Sequence, residues 1–130
     1  MARTNLPLTN LVANGGLTDP AGTTADQANG MNVAIPTTAI PSGPHLDKLM
    51  LRVANTAGSA KNVIVRAGAS PLAFRAGIGD LTVQVPATTG VKWVGPFDIS
   101  RFAQSDGSLN LDFESGFTGT ITAFIAPGSV

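Results

Sequence analysis

The residues whose types could support chemistry are few: one histidine, one tryptophan, a loose set of acids and a pair of glycines. His45 is the single histidine, which excludes a multi-histidine metal site and leaves any hydrolytic triad to rest on it alone. It lies in PSGPHLD, and Asp47, two residues on, points to the opposite side of an extended chain. That is poor acid–base geometry, and a solvated loop histidine is the simpler reading. Gly77-Ile78-Gly79-Asp80 suggests a phosphate loop, but no Lys-Ser/Thr follows it and the next pattern is a strand. Turn chemistry accounts for both glycines. Asp106, Asp112 and Glu114 form the one acidic cluster and the one place where calcium could be argued. The EF-hand spacing is missing, and Asp112 alternates with apolar positions and so faces solvent. A glycosidase needs two positioned carboxylates beside sugar-stacking rings. The chain has no Tyr and only Trp93, whose place on a strand pattern favours a core or interface role. The expectation is a protein that is not an enzyme, with no catalytic residues, no metal and no cofactor.

Composition narrows the partners. Eight Lys and Arg balance eight Asp and Glu without any basic run, so counterion release from nucleic acid has no source. Only 12% of residues are charged, about half the usual share, and a weakly charged surface near zero net charge favours association. Cysteine is absent, so stability does not depend on redox state. The first residues lack the apolar region of a signal peptide, and no stretch approaches the about 18 apolar residues that span a bilayer as a helix. The reading is a mature chain starting at or next to Met1, with neither nucleic acid nor membrane as partner.

The elements that must carry these residues are strands. Leu49, Leu51 and Val53 alternate with Lys48, Met50 and Arg52, and Val63 and Val65 alternate with Asn62, Ile64 and Arg66. The small and polar connection Asn55 to Ala60, with Gly58 inside it, predicts an antiparallel hairpin with Leu51 and Val65 facing the core. Further strands are expected at Met31 to Ile35, Leu81 to Val85, Val91 to Val94, Leu109 to Phe113 and Thr118 to Ala126. A short extended piece is expected over Phe97, Ile99 and Arg101-Phe102, and an Asp-Gly turn at Ser105-Asp106-Gly107. Prolines 36, 41 and 44 make the passage before His45 an edge or crossing loop. About seven to eight short antiparallel strands without a helical period predict one all-β domain at 31–130, a jelly-roll-like β-sandwich or a small β-barrel. At 130 residues a single core is expected.

Residues 1–30 differ, running through Asn14-Gly15-Gly16 into LTDPAGTTADQANG with neither period. They read as an extended N-terminal arm and loop. Its apolar quartet Leu6, Leu8, Leu11 and Val12, with Arg3 beside it, predicts a segment that orders against a neighbouring subunit rather than a frayed end. A weaker partner-binding candidate is the loop around Leu72, Phe74 and Arg75.

From about Leu49 onward, about two thirds of the chain, the sequence resembles the small head-associated, decoration-type virion proteins of tailed bacteriophages. The stretches that carry the resemblance are NTAGSAK at Asn55 to Lys61, FRAGIGDL at Phe74 to Leu81, VPA at Val85 to Ala87, GPF at Gly95 to Phe97 and DGSLNLDF at Asp106 to Phe113. The resemblance implies a β-sandwich that attaches to a capsid, with no catalytic residue to carry over. The expected function is therefore a structural virion protein, made in the host cytoplasm and placed on the capsid exterior. It would bind the major capsid protein and self-associate around a symmetry axis, a trimer being one arrangement. The alternative is a carbohydrate- or receptor-binding β-sandwich module of a phage tail or cell surface, which an exposed aromatic row would favour.

Overall fold

The computed structural model describes residues 3–11, 14–34, 48–69, 75–97, 99–102, 104 and 108–125. Val12, His45, Asp47, Leu72, Phe74 and Asp106, singled out above, lie outside the described residues, as does the Asp-Gly turn. The strands are β1 (Thr4–Asn5), β2 (Leu8–Asn10), β3 (Thr23–Thr24), β4 (Met31–Val33), β5 (Leu49–Asn55), β6 (Lys61–Val65), β7 (Leu81–Val85), β8 (Gly90–Val94), β9 (Leu109–Phe113) and β10 (Gly119–Ile125). A 3₁₀ turn at Ala76–Ile78 and one helical turn, α1 (Ile99–Phe102), complete the described elements. The fold is all-β, as the alternation predicts.

The strands form two sheets. The first has the order β1-β4-β9-β6-β7, and the second β2-β10-β5-β8, with β3 also on β10. Alternation sets the inward face of each: β5 is buried at Leu49, Leu51, Val53 and Asn55, and β9 at Leu109, Leu111 and Phe113. The apolar ones among them join Val63, Val65, Ile121, Ala123 and Ile125 in one core drawn from both sheets. Burying each large aliphatic side chain contributes about 1.5–3 kcal/mol. Leu51 and Val65 are fully buried, as expected.

The expected hairpin between β5 and β6 does not form. β5 pairs with β10 and β8, whereas β6 pairs with β7 and β9, so Asn55 to Ala60 is an arch from one sheet to the other. The reason lies in Asn55, whose side chain is buried at the end of β5. Its Nδ2 donates to the carbonyls of Ser59 (3.1 Å), Val85 (3.2 Å) and Pro86 (3.2 Å), and its Oδ1 accepts the Ala57 N–H (2.9 Å). The Thr88 N–H donates to the Ala57 carbonyl at 2.8 Å. The β5–β6 and β7–β8 arches are thereby clasped together, and every polar atom of this buried amide is satisfied.

Nor does the N-terminal segment lie outside the domain. β1 pairs parallel with β4 in the first sheet, and β2 parallel with β10 in the second, so both sheets are mixed rather than purely antiparallel. The chain crosses between the sheets at Leu6-Pro7, and Leu6 is 1% exposed within the protein's own core. Arg3 is committed as well: Nη1 lies 2.7 Å from Asp112 Oδ1 and 2.8 Å from the Leu111 carbonyl. Gly30 makes room for that pair. It has φ +74°, and a Cβ there would collide with Arg3 Nη1 and stand 2.8 Å from the Leu111 carbonyl.

The piece around Phe102, expected to be extended, is instead the helical turn α1. Phe102 is buried and meets Phe97 edge-on at 5.7 Å, and the Arg101 guanidinium lies 4.7 Å above the Phe102 ring. An aromatic edge contact and a cation over the ring fix the turn without any alternating period.

Candidate binding face

The inward phase of the second sheet dictates what its outer face carries. With Leu49, Leu51 and Val53 inward, Met50 and Arg52 point outward from β5. With Ile121, Ala123 and Ile125 in the core, Phe124 points outward from β10. On β8, Val94 is buried, so Trp93 and Val91 point outward. Register sets Trp93 beside Arg52, and Met50 beside Phe124.

Trp93 stacks on Phe124 with ring centroids 5.4 Å apart and 25° between planes. Phe124 is thereby covered to 3% exposure, while Trp93 itself stays 56% exposed. Around them lies a groove of about 370 Å³ lined by Leu11, Lys48, Met50, Trp93, Pro96 and Phe124. Pro96 follows the end of β8 and lines the groove. The Leu11 N–H donates to the Ile125 carbonyl at 2.9 Å, so the continuation of β2 forms one wall.

The predicted partner-binding residues separate. Leu11 reaches this groove and is 39% exposed. Leu8 is half-buried and packs against the core, Leu6 is inside it, and Arg3 is held by Asp112. Leu6 and Arg3 are thus engaged within the fold, because the two- and three-residue strands beside them draw them to the sheets. Arg75 does not line the groove; it precedes the 3₁₀ turn, and its N–H donates to the Ser100 carbonyl at 2.6 Å.

The two described acids of the Asp106, Asp112 and Glu114 cluster are engaged by cations. Asp112 contacts Arg3 and, at 3.4 Å, Arg66, while Glu114 lies 3.6 Å from Lys61 and accepts the Asn62 N–H. Arg66 reaches on to Asp80 at 3.3 Å, and Asp80 accepts the Ala67 N–H at 2.7 Å. The Gly79 carbonyl accepts from Arg101 Nε at 3.1 Å, so the glycine pair serves a turn. Asp26 is also structural: the Thr4 hydroxyl first, then the Asn29 backbone and side-chain N–H groups, hold its carboxyl below the ordinary carboxylate range.

The face offers a large ring and apolar walls beside the Lys48 side chain, a lining suited to burying an apolar group. Sequence reasoning placed Trp93 at a core or interface but missed Met50, Pro96 and Phe124. The signal for Phe124 was present, since it breaks phase in Ile121 to Ile125, an aromatic where alternation asks for a solvent-facing residue. No protein-family model matches the chain, and comparison with curated proteins and with solved structures finds no match either.

Proposed function

We propose that the protein is a structural protein of a tailed-bacteriophage head, seated on the outside of the shell by docking the Trp93 groove on an apolar ridge of the major capsid subunits. The observation that carries this reading is the half-exposed Trp93 stacked on a covered Phe124 beside an apolar groove. Buried tryptophans at the centre of an interface dominate its binding energy. Repetition over many identical shell sites multiplies a modest affinity into firm retention. The resemblance in Asn55 to Phe113 supplies the kind of partner, and the groove supplies the means.

The test is binding to particles that lack the native copy. Trp93→Ala is expected to remove about 2 kcal/mol or more of docking energy, about thirtyfold in Kd. Ile78→Ala, an exposed residue outside the groove, is the control and is expected to bind normally. Equal binding by the two variants would overturn the reading. A carbohydrate-binding role draws on the same exposed ring. It predicts that soluble glycans compete with binding, whereas the head reading predicts that they do not.

A further inference from the structure

The two sheets end differently on their two sides. On one side the edges are strands of two or three residues, β1, β2 and β3. On the other they are the five-residue strands β7 and β8. Long edges expose backbone donors and acceptors that template further pairing, and proteins blunt them with charges, proline or a bulge. β8 has such a guard: Lys92 pairs in register with inward Val53, so it sits on the core-facing phase of the edge, yet it is exposed. β7 reads LTVQV, with neither charge nor proline.

The hydrogen-bond phase of β7 follows from its neighbours. The Glu114 N–H donates to the Asn62 carbonyl and the Arg66 N–H to the Asn110 carbonyl, so even-numbered residues of β6 face β9. Lys61, Val63 and Val65 therefore face β7, where they meet Val85, Val83 and Leu81. Among the described residues no strand pairs with the outer side of β7, and the N–H and C=O groups of Thr82 and Gln84 point away from the sheet. Their side chains are exposed on its outer face, while Leu81 and Val83, on the core-facing side, are only half-buried.

We propose that β7 is a self-association edge, pairing antiparallel with β7 of a second copy about a two-fold axis at Val83. In that register Thr82 meets Gln84 of the other copy in narrow pairs, each exchanging two N–H···O bonds, and Val83 meets Val83 across a non-hydrogen-bonded pair. Leu81 meets Val85, so the inner row is wholly apolar and the outer row wholly polar and uncharged. The strand is thus complementary to itself, and the zero net charge of the chain sets no long-range repulsion between copies. Pairing β8 with itself about its centre would instead set Lys92 against Lys92. The β7 seam joins two copies of the first sheet and covers the half-exposed flanks of Leu81 and Val83. This inference does not depend on the head reading, and the docking groove lies on the other sheet.

Sedimentation equilibrium across a concentration series, with two sets of variants, tests it. The wild-type chain is expected to be a dimer that dissociates on dilution. Val83→Cys introduces the only cysteine in the chain. It should form an inter-copy disulfide under mild oxidation, since the facing Cα atoms are about 4.5 Å apart. Thr82→Cys should not, because Thr82 faces Gln84 and lies out of reach of its own equivalent. Thr82→Lys/Gln84→Lys changes only exposed side chains, so it should remain folded, with a Tm independent of concentration, yet sediment as a monomer. Mixing it with Thr82→Glu/Gln84→Glu should restore the dimer. A wild-type monomer or trimer at every concentration, a double-lysine variant that still dimerises, or a Val83→Cys chain that does not cross-link would each overturn the proposal.

Discussion

Replacing Leu6 with alanine separates a segment that belongs to the fold from one that waits for a partner. Leu6 is 1% exposed where the chain passes from β1 to β2, and its N–H donates to the Asn32 carbonyl at 2.9 Å. Truncating a buried leucine removes its transfer energy and leaves a cavity, about 2–5 kcal/mol together. For a domain of 130 residues the unfolding entropy is about 0.27 kcal/mol per degree, so each kcal/mol lowers Tm by about 4 °C. Leu6→Ala should therefore melt about 7–18 °C below the wild type. Leu11, 39% exposed in the groove wall, makes the contrast: Leu11→Ala should cost under about 1 kcal/mol, or less than about 4 °C. Its effect should appear in binding. Calorimetric or dichroism melts of the two variants decide the matter. A Leu6→Ala melt within about 2 °C of wild type would refute the assignment of residues 4–10 to the sheets.

Further outcomes follow from single side chains. Asn55→Ala should cost about 1–3 kcal/mol in urea unfolding, and Asn55→Asp more, because a carboxylate cannot donate to the three carbonyls that Nδ2 serves. Gly30→Ala should cost about 1–2 kcal/mol from its left-handed backbone alone, and more through the displaced Arg3. Arg3→Ala should then be less harmful in the Gly30→Ala background than in the wild type, as a double-mutant cycle would show. Because folding lowers the Asp26 pKa, this group's contribution is present above the ordinary aspartate range and is lost as pH falls through its lowered value. Asp26→Asn should therefore flatten the acid limb of a Tm-against-pH curve, and an unchanged acid limb would remove Asp26 from the account.

The legible part of this fold was the alternation. Leu49 to Asn55 and Leu109 to Phe113 declare their buried phase residue by residue, and the structure buries those same positions. Strand partners were not legible, because a short connection such as Asn55 to Ala60 can fold back within a sheet or step across to the next. Here the choice is made by Asn55, whose amide needs carbonyls from a β7–β8 arch some thirty residues away in sequence. The N-terminal strands escaped for another reason: two or three residues carry no period, and their pairing is set by tertiary contacts such as Arg3 with Asp112. The groove was half legible. Trp93 and Leu11 stood out by type, whereas Met50 and Phe124 become a surface only once β5 lies between β8 and β10.

The most direct test of the docking account is the number of copies retained per purified particle, measured for the wild type and for Trp93→Ala by quantitative mass spectrometry. The account predicts wild-type copies in fixed stoichiometry with the shell subunits, with most of that occupancy lost on Trp93→Ala while the free variant remains folded. A count matching only a tail tip, or full occupancy by the Trp93→Ala protein, would contradict it.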